Sequence, residues 1–159
     1  IHQLYSAANN QEKLKQDVAE MRERIAKEFT PTDPWKVKHS YGGLIDITFI
    51  AQYLALAHGQ QYPALIQANN DGILTEATQQ KLITATDYQP LIESWHFQSR
   101  LASLLRLCHR DFNENSAPKG LLSFLAISLN VSDSSNLKQT LLNHQGHVQR
   151  MFNLLIKGN

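Results

Sequence analysis

The chain is short of several things, and each shortage narrows what it can be. It has one cysteine, Cys108, in 159 residues, so no disulfide can form within it and a reducing, cytoplasmic setting is expected. Neither sign of charge is in excess: 15 Lys and Arg against 14 Asp and Glu leave a net charge of +1. Such a balance supplies no electrostatic basis for gripping nucleic acid or an anionic membrane surface. The longest apolar run, Leu121 to Leu129, is interrupted by Ser123 and Ser128 and is far too short to cross a bilayer. The polar N-terminus lacks the basic-then-apolar pattern of a signal peptide. Signatures of self-sufficient chemistry are missing as well: there is no GxxxxGK(S/T), GxGxxG, HExxH, GxSxG or paired CxxC. No Asp-x-Asp pair occurs, so the two-carboxylate metal site common in nucleotidyl transfer is not encoded. No catalytic residue and no metal site are therefore expected.

What is present is helix. With 42% hydrophobic and 18% charged residues, the chain has the make-up of one globular domain with a proper core. Leu14, Val18, Met21, Ile25 and Phe29 recur at spacings of three and four, predicting a helix over roughly 10–28 with that stripe inward. Thr30-Pro31-Thr32-Asp33-Pro34 stops it. After the turn Tyr41-Gly42-Gly43, a segment apolar nearly all round runs to His58-Gly59, which predicts a central, buried helix. A short helix around 62–68 is expected to end at the turn Asn69-Asn70-Asp71-Gly72, and another to cover 75–86. Asp87 and Pro90 mark a break or a fresh start before a long helix over Leu91–Arg110. The segment 111–117 reads as a polar loop. Pro118 opens a helix to about Ser128, and Ser132 or Asp133 caps a last one whose seam is Leu137, Leu141, His144, Val148, Met151 and Leu155. No stretch of period-two alternation stands out. The expected fold is all-α, an irregular bundle of about six or seven helices.

Candidate chemistry concentrates in Trp35–Ile47. Lys38 precedes the pair Gly42-Gly43, which opens a helix. Glycines admit close backbone approach, and helix N-termini offer N–H groups to anions, so Lys38, Gly42 and Gly43 could face a phosphate. They could equally form a tight turn beside a surface lysine. Asp46 is the lone acid of an apolar helix and needs a partner: a salt bridge, a cap to the preceding loop, or a neighbouring domain. Arg100, Arg106 and Arg110 make the long helix mildly basic, either as solvated charge or as an anion- or partner-binding face. His144 and His147 lack the further ligands of a metal site, and His144 reads as a satisfied core histidine. Cys108 reads as a small core residue, and adjacent His109 diverges from it around the helix.

The run Lys38-His39-Ser40-Tyr41-Gly42-Gly43-Leu44-Ile45-Asp46-Ile47-Thr48-Phe49-Ile50-Ala51-Gln52-Tyr53-Leu54 resembles the K-x-x-x-G-G-(L/I)-x-D-I-E-F-(I/L)-x-Q-Y-L signature of bacterial glutamine synthetase adenylyltransferases. Met21–Ile25 and Asp33-Pro34-Trp35 upstream are similar to that family's connecting helix and loop. Leu104–Cys108, Ala117–Leu121 and Met151–Leu155 are similar to its later helices, so the resemblance spans about residues 14–157. Thr48 stands where the family usually has glutamate. The resemblance implies a bifunctional enzyme that adenylylates and deadenylylates glutamine synthetase to regulate nitrogen assimilation, using ATP and Mg²⁺. It also implies an upstream nucleotidyltransferase domain, glutamine synthetase and the signal protein PII as partners. Residues 1–34 would then be a connecting helix and loop from a nucleotidyltransferase domain lying before Ile1, and 35–159 a helical accessory domain. That domain, non-catalytic alone, would support the nucleotide site, with Lys38, Gly42, Gly43 and Asp46 facing the nucleotide or the neighbouring domain. The alternatives are a regulatory module docking PII, glutamine or glutamine synthetase, and a free-standing helical protein, which the start at Ile1 rather than Met argues against.

Overall fold

A computed structural model describes residues 2–66, 69–108 and 111–158, with side chains from residue 10 onward. Six α-helices make up the described fold, with no strand among the described residues: α1 (His2–Glu28), α2 (Leu44–His58), α3 (Asn70–Gln79), α4 (Ala85–Cys108), α5 (Lys119–Ser128) and α6 (Leu137–Phe152). The all-α expectation holds. No helix among the described residues is long and apolar enough to cross a membrane.

Helix α2 is the hub and packs on α1, α3, α4 and α6. Its Ile47, Ile50 and Leu54 are buried with Leu74 of α3, Leu91 of α4 and Val148 and Phe152 of α6. A second cluster joins Trp35 to Leu101 and Leu105 of α4, Leu125 of α5, and Leu137 and Leu141 of α6. Each fully buried Leu or Ile contributes roughly 1.5–3 kcal/mol relative to its exposed state, so these two clusters hold the bundle. Gly59 ends α2 with its N–H on the Ala55 carbonyl, as expected.

Helix α1 starts well before residue 10, and its buried stripe is not the one that periodicity drew. Leu14 and Val18 pack against the core, but the next inward position is Arg22, at 2% exposure, while Met21 and Phe29 are exposed at 52% and 44%. A charged side chain takes a core position because a partner waits there, described below.

Residues 69–86 depart furthest from expectation. Asn69-Asn70-Asp71-Gly72 starts a helix rather than ending one: Asn69 is the N-cap of α3 and its side chain accepts from the Gly72 amide at 2.6 Å. The helix placed over 75–86 therefore sits at Asn70–Gln79. It stops at Lys81, which takes a left-handed φ of 60°. Of the piece expected at 62–68, the described residues hold one 3-10 turn, Pro63–Leu65, and residues 67 and 68 lie outside the described residues. Thr84 Oγ1 then accepts from the Asp87 amide at 3.1 Å, and α4 runs on through Pro90. Pro90 is the sixth residue of α4, past the first turn, so it costs the helix one backbone hydrogen bond without ending it.

The C-terminal elements follow expectation closely. Pro118 precedes α5. The Asp133 carboxylate accepts from the Ser135 amide and caps a 3-10 turn that leads into α6; those hydrogen bonds from Ser135 hold its pKa below the ordinary carboxylate value. Helix α6 ends in a π-turn, Asn153–Lys157, closed by Gly158 at φ 75°. Cys108 is half-buried at the end of α4 rather than a core residue.

Candidate functional site

The loop between α1 and α2 winds back on itself through its own backbone. Tyr41 N–H donates to the Pro31 carbonyl at 3.0 Å, Ser40 N–H to Lys36 at 2.9 Å, Gly43 N–H to Ser40 at 2.8 Å and Leu44 N–H to Val37 at 2.8 Å. Ile45 N–H reaches the Lys38 carbonyl at 3.2 Å. The Gly42 amide donates to Asp46 Oδ2 at 2.6 Å. Thus the amides of Gly42, Gly43, Leu44 and Ile45, which an anion at this helix start would need, are already engaged within the chain.

Asp46 lies in the first turn of α2 and is 2% exposed. Its Oδ1 pairs with Arg22 Nε across from α1. Arg22 Nη2 continues to the carbonyls of His39 at 2.9 Å and Ser40 at 3.3 Å. The Tyr41 ring covers the guanidinium, its centroid 5.1 Å from the Arg22 Cζ, a cation–π contact. Burial pushes the Asp46 carboxyl above its ordinary value, and the Arg22 charge and the Gly42 amide oppose that rise. The lone acid of α2 thus has both the salt bridge and the bond to the preceding loop that its position demands.

The two glycines answer to packing. Gly42 has φ 76°, and a Cβ there would lie 2.0 Å from the Gln145 carbonyl oxygen of α6. A Cβ on Gly43 would lie 2.3 Å from the Val37 carbonyl oxygen. What approaches these glycines closely is the protein's own backbone.

Of the four residues grouped from sequence, Gly42, Gly43 and Asp46 are buried and Lys38 is exposed. The loop therefore displays Lys38 and the partly exposed Tyr41, 38% accessible, over a buried polar foundation. His39 lies against Phe29 with ring centroids 3.7 Å apart. Its pKa is lowered by burial first and then by the charges of Lys38 and Arg22.

The remaining candidates stand elsewhere. Arg100 and Arg106 are both exposed on α4, but six residues at 3.6 per turn place them about 120° apart, on different faces. Arg110 and His109 lie outside the described residues. His144 is a satisfied, half-buried histidine: its Nδ1 is 3.0 Å from Ser94 Oγ and its ring stacks on Phe97 at 4.4 Å. Burial lowers its pKa, with the nearby His147 adding to the shift. His147 instead meets Arg150. Among the described residues no group of three or more His, Cys, Asp or Glu could hold a metal ion. Thr48, in place of the signature's glutamate, donates to the Leu44 carbonyl and receives Asn70 Nδ2 at 3.0 Å, tying α2 to the start of α3.

Sequence reasoning missed Arg22, Gln98 and Gln145, all buried polar residues. The signal was available in the helix phase. Arg22 follows Leu14 and Val18 at i+4. Gln98 falls between Leu91 and Leu101, and Gln145 between Leu141 and Val148, at helical spacings.

Openings adjoin these elements. A pocket of about 160 Å³ is lined by Arg22, Tyr41, Asp46, Gln149 and Lys157. A wider groove of about 610 Å³ runs between the start of α4 and the end of α6, lined by Thr86, Pro90, His147, Arg150 and Leu154.

Comparison with known proteins gives the chain its relations. The model of a family described as GlnD PII-uridylyltransferase matches residues 11–156. A protein of Rhodopseudomonas palustris (strain TIE-1) named bifunctional glutamine synthetase adenylyltransferase/adenylyl-removing enzyme is 36% identical over 146 residues, 91% of this chain and 15% of that protein. Proteins with the same name from Bradyrhizobium sp. (strain BTAi1) and Rhizobium meliloti (strain 1021) are each 34% identical, over 91% and 88% of this chain. The chain spans about 15% of the length of the curated relatives it matches. On the match over residues 11–156, the chain belongs to the GlnD PII-uridylyltransferase family, and within it resembles the relatives named for adenylyl transfer to glutamine synthetase.

Proposed function

We propose that this chain is the helical domain of a bifunctional glutamine synthetase adenylyltransferase/adenylyl-removing enzyme. In this reading it supports a nucleotidyltransferase domain carried elsewhere in a longer protein. The observation that carries the reading is the likeness to enzymes of that name over nine-tenths of this chain, against about 15% of theirs. A stretch of that proportion acts as one part of a larger machine.

ATP and Mg²⁺ do not fit the residues of this chain as a site of its own. The carboxylate set for a metal is lacking among the described residues. The amides at the start of α2 are spent on internal acceptors. The 160 Å³ pocket beside the loop is below the roughly 300–1,000 Å³ of small-molecule sites, and the 610 Å³ groove is lined by no residue of that loop. Nucleotide and metal therefore belong, in this proposal, to the nucleotidyltransferase domain. Lys38 and Tyr41 form the face turned toward that domain, and Gly42, Gly43 and Asp46 act from beneath by fixing the loop that displays them.

The test is adenylylation of glutamine synthetase with labelled ATP and Mg²⁺. It compares this chain alone, the longer protein that carries it, and that protein with Lys38→Ala. The expected result is no transfer by the chain alone and a reduced rate for the variant. A Lys38→Ala protein with unaltered rate and ATP affinity overturns the assignment of this loop. Asp46 is unsuitable for this purpose, because its removal breaks a buried ion pair.

A second reading, docking of a regulatory partner such as PII, has its support in the 610 Å³ groove between α4 and α6 rather than in Arg100 and Arg106. Titration of this chain with PII, with Arg150→Glu as control, separates it from the first.

A further inference from the structure

The loop that displays Lys38 is gripped by side chains from three helices, most of them distant in sequence. Gln145 of α6 donates from Nε2 to the Pro34 carbonyl at 2.9 Å and to Ser40 Oγ at 3.0 Å. Gln98 of α4 donates to the Gly42 carbonyl at 2.9 Å. Gln149 of α6 donates to the Tyr41 carbonyl at 3.1 Å. Arg22 of α1 takes the His39 and Ser40 carbonyls. Together these donors reach polar groups at positions 34, 39, 40, 41 and 42, on both sides of Lys38.

Two of these carboxamides lie in the core: Gln98 is 0% and Gln145 is 3% exposed, and their side chains approach each other at 3.4 Å. A buried amide stabilises nothing unless it is paired, and an apolar side chain of like volume would fill the same space without that risk. What the amides add is geometry: each binds one backbone group at one distance and direction. Helix packing needs no such specification, whereas presentation of one exposed lysine does.

We infer that Gln98, Gln145 and Gln149 are positioning residues. They lock the Lys38 loop to α4 and α6, so that the place of Lys38 is set by those two helices. This rests on the proposed role of Lys38 at the interdomain face. Two consequences follow. A shift of α6 is transmitted to Lys38 through Gln145 and Gln149. Loss of a glutamine lowers the enzyme's rate only through Lys38.

The experiment has two arms. In this chain, amide hydrogen exchange is followed at Ser40, Tyr41, Gly43 and Leu44. Gln149→Ala, a change at an exposed side chain that leaves the core intact, should speed exchange about fivefold for one lost hydrogen bond. Gln145→Leu, which loses two, should speed it roughly twentyfold, while Ile50 and Leu54 in α2 stay protected. In the longer protein, adenylylation rates are compared for Lys38→Ala, Gln149→Ala and the double variant. The inference requires that Gln149→Ala slow transfer and that the double variant be no slower than Lys38→Ala alone, since the glutamine acts through the lysine. If Gln149→Ala is silent, or if the two losses multiply, the positioning role is overturned while the interdomain role of Lys38 stands. A silent Lys38→Ala removes the functional reading on which this one rests. Unchanged loop exchange in both glutamine variants overturns the grip itself.

Discussion

Removing both halves of the Arg22–Asp46 pair should cost no more than removing either one. Both side chains are about 2% exposed, so each charge has left water and depends on the other. Deleting one partner of such a pair costs about 3–5 kcal/mol, because the survivor is left charged and uncompensated. Asp46→Asn and Arg22→Met should each show that loss, a large part of the roughly 5–15 kcal/mol that holds a typical domain folded. With about 2–4 °C of melting temperature per kcal/mol at this chain length, either variant melts roughly 6–20 °C lower. The double variant Arg22→Met/Asp46→Leu strands no charge. What it strands is the Gly42 amide, which donates to Asp46 Oδ2 at 2.6 Å, and the carbonyl of half-buried His39, which accepts from Arg22 at 2.9 Å; the Ser40 carbonyl keeps the Gly43 amide. An unsatisfied buried polar group costs about 1–3 kcal/mol. With the Gly42 amide at about 1–3 kcal/mol and the partly solvated His39 carbonyl at about 1 kcal/mol, the double variant should lose about 2–4 kcal/mol, near or below either single loss and well short of their sum. Urea unfolding followed by circular dichroism measures all four proteins. Additive losses, or an Asp46→Asn protein as stable as the parent, would refute the view that the two charges are kept inside by each other.

Two alanine substitutions for glycine should have opposite signs. Gly42→Ala meets a left-handed φ of 76° and the Gln145 carbonyl oxygen at 2.0 Å, which together cost about 2–5 kcal/mol; Gly146→Ala, in α6 with nothing within 4 Å of its Cβ, should gain about 0.5–1 kcal/mol of helix propensity. Thermal melts decide both, and equal effects would contradict the packing described for Gly42. Stability should also depend on pH through His39, His58 and His144, each lowered by burial from 6.5. Their folded forms resist protonation that the unfolded chain accepts, so their contribution is complete above 6.5 and is lost as pH falls through the folded values. The urea midpoint should fall on mild acidification below 6.5, and less so in His144→Gln; a midpoint that rises there refutes the assignment.

Where local rules and packing agree, the fold was legible. Helix α2 was visible in an apolar segment ended by Gly59, α5 in the proline before it, and α6 in its seam, although Asp133 caps the 3-10 turn before α6 rather than α6 itself. Around residues 69–86 the same residue types serve two purposes. Asn and Asp favour turns and helix N-caps alike, and the choice lay in whether the Asn69 side chain could reach the Gly72 amide. Lysine is no stop signal, so the left-handed Lys81 that ends α3 had no mark in the sequence. The Arg22 partner of Asp46 was passed over for a different reason: its phase after Leu14 and Val18 points inward, but an arginine beside Met21 on a helix reads as solvated by default, and the partner that offsets the cost of its burial lies on another helix.

The glycines show how far a motif can be taken. Gly42-Gly43 after Lys38 says that something comes closer than a Cβ would allow. A phosphate and a peptide carbonyl meet that condition equally well, and no spacing separates them. The fold supplies the neighbour, the backbone of α6 at Gln145, and with it a reason for the buried Gln98 and Gln145 that no motif contains. The most distinctive stretch of the sequence is then a composite. Its glycines and Asp46 answer to the interior, while Lys38 and Tyr41 answer to whatever lies outside this chain. Substitutions should sort along the same line: changes at Gly42 and Asp46 act through stability, and changes at Lys38 act through activity with the fold intact. A Lys38 variant whose lost activity followed a lost melting temperature would break that division.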